Sequence, residues 1–293
     1  MKATRYEHGR HAGGGGGEVS KRQFGSYGHR VQVLGRDHVR LFWVVDFKYA
    51  SSRLRFPRTF SRDTDTAGAD LAAGCSAPVL VVDNVRAHLG AIAAWVYGTA
   101  ELGIPTFGVT GTNGKTSVVY LLTALLKQLG VSSGLSSTAE RRIGDEAITS
   151  GLTTPEASEL HGLLAVMNER KVGAVALEVS AQALSRHRVD GVHFDVVGYT
   201  NLSHDHFDDY TSFEEYFEAK AQLFTPERAG RGVVLVDDAW GRRLATQAKI
   251  PVTIVTMAGE GDADWQCAIT QQSPRSVSFV MTNRDGRSLR VSV

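Results

Sequence analysis

The sequence predicts an α/β fold in which a mostly parallel sheet is flanked by helices, with a small antiparallel appendage at the C-terminal end. Three observations predict it. From residue 104 onward, short apolar segments alternate with longer amphipathic ones, as in a parallel sheet covered on both faces. A glycine-rich turn joins the first of these strands to a helix, and the last 27 residues contain three short strand-like segments.

The elements of the alternating region follow from their apolar spacing. Strands are expected where four or five apolar, often β-branched residues occur together, and helices where apolar residues recur three and four positions apart. The predicted strands span 106–110, 174–178, 195–199, 232–236 and 252–255, and the predicted helices span 114–128, 155–169, 213–223 and 240–247. The segments 267–270, 277–281 and 289–293, with a turn over Asn283-Arg-Asp-Gly286, predict the antiparallel appendage.

The first hundred residues carry weaker signals. Residues 1–65 contain a five-glycine run from Gly13 to Gly17 and only one strand-like segment, at 39–47, so we expect this part to be partly disordered, chiefly its first twenty residues. A short helix at 67–73, a strand at 78–83 and an amphipathic helix at 85–97 follow. Domain boundaries are therefore expected near residues 65 and 103.

Composition and charge exclude few functions but indicate an ordinary globular protein. The chain has 293 residues and a formal charge of +1, which gives no reason to expect a nucleic-acid partner. Two cysteines are too few for a disulfide framework, and the sequence contains neither a signal peptide nor a membrane span. We expect a cytoplasmic monomer without membrane insertion.

The turn after the first strand has the pattern of a phosphate-binding loop. It reads Thr-Gly-Thr-Asn-Gly-Lys-Thr from Thr110 to Thr116, and its glycines, Gly111 and Gly114, allow successive N–H groups to point at one phosphate. Lys115 is expected to reach the β- and γ-phosphates of ATP, and the Thr116 hydroxyl to bind Mg²⁺. Val109 departs from the general pattern, which has glycine there; the alternative is an ordinary strand-to-helix turn with an exposed lysine.

Longer stretches resemble the Mur ligase family. They are the loop itself, Leu152-Thr-Thr-Pro-Glu156, the segment from Leu177 to Gly191, and the segment from Tyr199 to Tyr210 with the Tyr-Phe-Glu-Ala-Lys-Ala-Gln-Leu-Phe run from Tyr216 behind it. Within the family, the combination is most similar to the branch that adds the third residue of the peptidoglycan stem peptide. The resemblance begins near residue 67; it implies a remnant of the N-terminal domain with a linker helix at 66–103 and a central ATP-binding domain at 104–293.

The resemblance implies a function in peptidoglycan precursor synthesis. ATP would phosphorylate the carboxylate of UDP-N-acetylmuramoyl-L-Ala-D-Glu, and the amine of a diamino acid would attack the acyl phosphate. Two alternatives stay open: a non-catalytic nucleotide-binding remnant, and another Mur-like ligase such as cyanophycin or folylpolyglutamate synthetase. A kinase or GTPase is disfavoured by Val109.

The resemblance also implies roles for individual residues. Nucleotide-binding residues would be Gly111, Thr112, Asn113, Gly114, Lys115, Thr116 and Asn201. Mg²⁺ ligands would be Thr116, Glu178, His206 and a carbamylated Lys220, and Lys115, His206 and Lys220 would be catalytic. The UDP-linked substrate would meet Thr153, Thr154, Ser180, Arg186 and Arg188. The alternatives to these metal-binding roles are a helix-capping role for Glu178, a structural role for His206 and a surface position for Lys220. Arg186 and Arg188 cannot share a helical face, so in a helix only one, for preference Arg188, would face the site.

Two parts of the family pattern are missing. Residues 1–65 contain no recognisable uridine-binding segment, and nothing follows the central domain to bind the incoming amino acid. The chain is therefore expected to be incomplete, with little activity alone, and the choice between lysine and diaminopimelate is open.

Overall fold

A computed structural model describes residues 84–293 with gaps at 150–151, 205–208 and 258–261, and before residue 84 it describes only the backbone of five short strands. The chain divides into two compact units, residues 1–85 and 86–293. The predictions for the first twenty residues and for a helix at 67–73 lie outside the described residues.

The first unit contains two small sheets. Strands β1 (Ser20–Phe24), β2 (His29–Leu34) and β3 (Arg40–Val45) form an antiparallel sheet in that order. Strands β4 (Arg62–Thr64) and β5 (Val79–Val81) pair in parallel. The strands predicted at 39–47 and 78–83 correspond to β3 and β5.

The second unit contains the alternating elements. They are α1 (Val85–Tyr97), β6 (Thr106–Thr110), α2 (Lys115–Gln128), β7 (Ser133–Ser136), β8 (Glu140–Ile143), β9 (Glu146–Thr149), α3 (Ala157–Glu169), β10 (Ala174–Glu178), α4 (Ala181–Ser185), β11 (Phe194–Tyr199), α5 (Phe213–Ala221), β12 (Ala229–Leu235), α6 (Ala239–Gln247), β13 (Val252–Thr256), β14 (Trp265–Ser273), β15 (Ser276–Asn283) and β16 (Ser288–Ser292). None of the helices that the structure describes is long and apolar enough to cross a membrane.

These strands form one sheet in the order β16-β15-β14-β13-β12-β11-β6-β10-β7-β8-β9. All pairings from β14 to β7 are parallel. The pairs at the two margins, β14 to β16 and β7 to β9, are antiparallel. The predicted fold class is confirmed, including the C-terminal appendage, whose turn is closed by a hydrogen bond of 3.0 Å from Gly286 N to Asn283 O.

The second antiparallel margin was not predicted. Strand β7 is only Ser-Gly-Leu-Ser, without the β-branched run that identifies a strand, and β8 is rich in charged residues. Gly144 and Asp145 form a two-residue turn between β8 and β9, with Gly144 at a φ of 60°. A Gly-Asp pair between short segments is a hairpin signal, so this turn was the available clue.

Both faces of the sheet are covered, as β10 shows. Successive residues of a strand point to opposite faces. Ala176 packs with Val119 of α2, while its neighbours Val175 and Leu177 belong to the larger core that includes Leu160 of α3. Strand β10 is buried at every position, as expected for a central parallel strand.

Parallel pairing brings several strand ends to one edge of the sheet. Leu177 pairs with Ser136, Glu178 with Val109, and Tyr199 with Thr110. The segments that follow β7, β10, β6 and β11 therefore start side by side at the carboxyl edge, where ligands bind in open α/β sheets.

Gly108, in the middle of β6, tests this packing. A Cβ there would lie 2.8 Å from Cδ1 of the buried Phe194 ring, so Gly108→Ala should lower the free energy of unfolding by about 1–3 kcal/mol in urea denaturation. The matched control is Gly198→Ala on the neighbouring strand β11, where the nearest heavy atoms would be 4.0 Å away. That variant should be neutral or slightly stabilising; equal losses in the two variants would contradict the described packing.

Candidate functional site

The loop between β6 and α2 requires glycine at two positions. Gly111 has a φ of 146° and Gly114 a φ of 84°. A Cβ on Gly111 would lie only 1.9 Å from Thr200 Oγ1, which follows β11. Val109, by contrast, lies within β6 and is buried in the core beneath α2, so the strand itself occupies the position where the general loop pattern has glycine.

The loop is braced by the segment that follows β11. Thr112 N donates to the Asn201 carbonyl at 2.8 Å, and Asn113 N donates to Asn201 Oδ1 at 3.0 Å. Thr200 Oγ1 donates to the Asn113 carbonyl at 2.6 Å. The sequence predicted Asn201 as a nucleotide-binding residue; the contacts that the structure gives it hold the loop, and its role towards a nucleotide remains a prediction.

The start of α2 offers backbone donors to an anion. Gly114 is the N-terminal cap residue, no side chain caps the helix, and the first turn contains no acidic residue. First-turn N–H groups such as those of Thr116 and Ser117 have no acceptor within the helix. The helix dipole adds partial positive charge at this end, so the geometry suits a phosphate group.

Two lysine side chains converge on one carbonyl oxygen of the loop. Lys115 Nζ donates to the carbonyls of Gly111 and Thr112 at 2.9 and 2.8 Å. Lys220 Nζ, on α5, donates to the same Gly111 carbonyl at 3.1 Å. Lys220 is 1% exposed and its ammonium group lies 4.1 Å from the centroid of the Tyr216 ring. Lys220 is thus a buried residue beneath the loop, unlike the surface lysine of the alternative interpretation.

Glu178 is a buried carboxylate at the end of β10, with 1% of its surface exposed. Its Oε1 accepts from Thr138 N at 3.1 Å, and its Oε2 lies 3.1 Å from Thr138 Oγ1. The Thr154 hydroxyl, also buried, donates to the Glu178 carbonyl at 2.8 Å and accepts from Ser180 N at 3.2 Å. The carboxylate does not cap α4, because the cap of that helix is the Ser180 hydroxyl, which accepts from Ala183 N.

The two predicted arginines are held differently. Arg188 is buried, and its Nε lies 3.0 Å from Glu156 Oε1, while Arg86 of α1 donates to the other oxygen of Glu156 at 2.9 Å. Burial lowers the pKa of Arg188, and the charge of Glu156 opposes that shift. Arg186 is exposed and donates to Asp209 Oδ1 at 2.7 Å. Helix α4 ends at Ser185, so the restriction expected for two arginines on one helix does not apply.

One cleft of about 530 Å³ collects most of these side chains. Its lining comprises Thr112, Asn113, Gly114, Lys115, Thr116, Thr138, Leu152, Thr153, Glu178, Ser180, Gln182, Arg186, Arg188 and Asp209. Among predicted residues outside this lining, Gly111, Asn201 and Lys220 belong to the loop and its supports, and Thr154 supports Glu178 and Ser180. His206 lies outside the described residues.

Four lining residues were not predicted as site residues: Thr138, Leu152, Gln182 and Asp209. Thr138 follows β7, the strand whose sequence gave no strand signal, so nothing placed it at the carboxyl edge. Asp209 accepts from both Arg186 and Gln182, the latter at 3.2 Å. An acidic residue a few positions from a predicted metal ligand was the only signal for Asp209.

Asp190 anchors the turn that carries both arginines. Its carboxylate pairs with His187 and Arg228, each at 2.8 Å. Its carbonyl lies 2.9 Å from Nε2 of His161, a fully buried residue of α3. Because a carbonyl can only accept, Nε2 carries the proton, and the Thr99 hydroxyl donates to Nδ1 at 2.6 Å.

His161 should make stability depend on pH. Burial lowers the pKa of His161 below its ordinary value, so between the folded-state pKa and the unfolded value of about 6.5 the unfolded chain binds more protons. The free energy of unfolding should therefore fall as the pH drops below about 6.5, by up to about 1.4 kcal/mol per pH unit. Urea unfolding at pH 7.5 and 5.5 should show a smaller decrease for His161→Gln. His193→Gln, at an exposed position, should retain the decrease of the parent protein; an unchanged decrease in His161→Gln would contradict the assignment.

Comparison with known proteins identifies relatives of this chain. Residues 109–293 match the model of the Mur ligase middle domain. A UDP-N-acetylmuramyl-tripeptide synthetase of Leifsonia xyli subsp. xyli is 58% identical over 230 residues, which are 78% of this chain and 45% of the relative. The chain thus spans less than half the length of that curated relative.

Solved structures share the fold. The structure of a UDP-N-acetylmuramoyl-L-alanyl-D-glutamate–2,6-diaminopimelate ligase matches with a TM-score of 0.67 at 22% identity, over 82% of this chain and 53% of the other. The MurF ligase of Thermotoga maritima in complex with ADP matches with a TM-score of 0.52 at 19% identity, over 82% of this chain and 56% of the other.

Proposed function

The chain belongs to the Mur ligase family, and from this premise we propose that it is the nucleotide-binding part of an ATP-dependent ligase of peptidoglycan precursor synthesis. The ligase adds a diamino acid to UDP-N-acetylmuramoyl-L-Ala-D-Glu. The observation that carries the proposal is the single cleft lined by the glycine loop, a buried carboxylate and two arginines. Residues 104–293 form the ATP-binding domain, residues 66–103 belong to an N-terminal domain and linker, and the protein is a cytoplasmic monomer.

ATP binds with its phosphates on the loop. The uncapped start of α2 supplies N–H donors, and Lys115, which now donates to two loop carbonyls, turns its ammonium group to the β- and γ-phosphates. The exchange replaces neutral acceptors with charged ones, which form stronger hydrogen bonds with an ammonium group. The MurF ligase of Thermotoga maritima, which has the same fold, was solved with ADP.

The residues around the loop fit Mg²⁺. This ion prefers oxygen ligands and is commonly held by one or two protein groups together with substrate phosphates. The Glu178 carboxylate and the Thr116 hydroxyl line the same cleft and supply such oxygens. The ion would neutralise charge on the transferred phosphoryl group. In the part of the chain that the structure describes, no three His, Cys, Asp or Glu side chains cluster as a metal site; His206, a proposed ligand, is outside that part.

The same cleft holds the acceptor. Arg188 and Arg186 bring positive charge to the cleft, and guanidinium groups pair well with carboxylates and with the pyrophosphate of a UDP-linked substrate. Ser180 and Thr153 line the same cleft. In the reaction, an oxygen of the acceptor carboxylate attacks the γ-phosphorus and ADP leaves. The diamino acid's amine then attacks the acyl carbon and releases phosphate and a proton.

Lys220 acts as a carbamate in this proposal. As ammonium groups, Lys115 and Lys220 place two positive charges on the same Gly111 carbonyl, one of them fully buried. The neutral amine of Lys220 is the form that attacks CO₂. Carbamylation creates an N–C bond, releases a proton and converts the repulsive pair into an attractive one.

The phosphate loop is tested by titrating ATP into the chain by calorimetry in the presence of Mg²⁺. Lys115→Ala should weaken binding by roughly 10- to 100-fold, because a hydrogen bond to a charged group contributes about 1.5–3 kcal/mol. Lys127→Ala is the matched control on the same helix, since Lys127 is exposed and pairs with Asp145. Equal affinities for all three proteins, or no binding by the parent, would refute the proposal.

The carbamate is tested by incubating the chain with ¹³C-labelled bicarbonate near neutral pH and recording carbon NMR spectra. A carbamate signal should appear for the parent and for Lys127→Met, and should be absent for Lys220→Met once circular dichroism shows that the variant is folded. A signal that survives in Lys220→Met would assign the carbamate to another lysine and remove this part of the proposal.

A further inference from the structure

Thr138 contacts both oxygens of the Glu178 carboxylate. It lies in the turn between β7 and β8, is exposed to the cleft, and approaches both oxygens of the buried Glu178 carboxylate. Its N–H donates to Oε1 and its Oγ1 lies near Oε2, both at 3.1 Å. We infer that Thr138 is the positioning residue of the Glu178 carboxylate and couples it to Thr153, a second hydroxyl residue of the cleft lining. The inference rests on the proposed role of Glu178 towards Mg²⁺.

The two contacts fix the orientation of the carboxylate. A buried carboxylate is costly unless its oxygens are hydrogen-bonded, and Thr138 supplies one donor to each. Each oxygen keeps a further acceptor site, which a cation could use. Hydrogen bonds of this kind hold a metal-binding carboxylate in one orientation before the metal arrives. The N–H donor would be present with any residue except proline, whereas the hydroxyl donor depends on threonine or serine.

The Thr138 hydroxyl also contacts a second hydroxyl group of the cleft. Thr138 Oγ1 lies 3.0 Å from Thr153 Oγ1. Its single proton goes to the carboxylate, because hydrogen bonds to an ionised acceptor are the stronger ones. Thr153 must then donate its own proton to Thr138, so it can only accept a hydrogen bond from a ligand. Thr153 would recognise an N–H or O–H group of the substrate and would not bind a phosphate or carboxylate oxygen.

The chain offers a matched pair of variants. Thr138→Val keeps the shape and the backbone N–H but removes the hydroxyl, and Thr138→Ser keeps the hydroxyl. The measurement is the affinity for ADP by calorimetry at a series of Mg²⁺ concentrations, with a series lacking Mg²⁺ as reference. Thr138→Val should raise the Mg²⁺ concentration needed for half of the Mg²⁺-dependent gain by roughly tenfold. Its Mg²⁺-free affinity should stay unchanged, and Thr138→Ser should stay within about twofold of the parent.

Other outcomes separate the two proposals. A parent-like Mg²⁺ dependence in Thr138→Val would overturn the positioning role and leave the proposed function standing. Equal losses with and without Mg²⁺ would show a general structural defect and also overturn it. A parent that binds ADP without any Mg²⁺ dependence would overturn both. In a Glu178→Gln background, Thr138→Val should have no further effect on the Mg²⁺ dependence, because the group that it positions is already changed. Should Thr138→Val melt at a much lower temperature than the parent, Thr138→Ala takes its place in the same comparison.

Discussion

The hydrogen bonds between the glycine loop and the segment after β11 are the constraint on which the rest of the site depends. Parallel pairing of β6 with β11 brings Thr110 opposite Tyr199, so the next residues of each chain segment meet without a gap. Asn201 then bonds the loop through its carbonyl and its side chain, and Thr200 approaches so closely that only glycine fits at position 111. This packing fixes the direction of the Gly111 carbonyl. It thereby fixes the position of both lysine ammonium groups, which donate to that carbonyl.

The site combines two lysine ammonium groups on the glycine loop with a buried carboxylate at the end of β10. Lys115, Lys220 and the start of α2 are positive, whereas Glu178 receives its described hydrogen bonds from the neutral Thr138. Neither the lysine pair nor the buried carboxylate favours the stability of the fold, because like charges repel and a buried carboxylate costs free energy unless it is compensated. Buried or like-charged ionisable groups of this kind occur more often at functional sites than elsewhere in a protein.

The sequence predicted the parts of this site that local pattern determines. An apolar strand and a glycine loop are each determined by consecutive residues, so β6, β10 and β11 and the loop between β6 and α2 were predicted within a few residues of their observed bounds. Strand β7 was missed because its neighbours in the sheet, and not its Ser-Gly-Leu-Ser sequence, make it a strand. Thr138 was missed for the same reason. The burial of Lys220 is equally non-local, because α5 meets the loop only through the folded sheet.

The two arginines of the cleft lining are held to different degrees. Arg188 is buried and shares Glu156 with Arg86, so its guanidinium group is fixed, and removing Glu156 would leave a buried charge without that partner. Arg186 is exposed, and a pair such as the one with Asp209 contributes about 0–1 kcal/mol, which an anionic ligand can readily replace. The turn that carries both is tied down by Asp190 through His187, Arg228 and His161. The guanidinium group of Arg188 is therefore held in one position while that of Arg186 can move, and the difference follows from their burial and from the partners that each has in the fold.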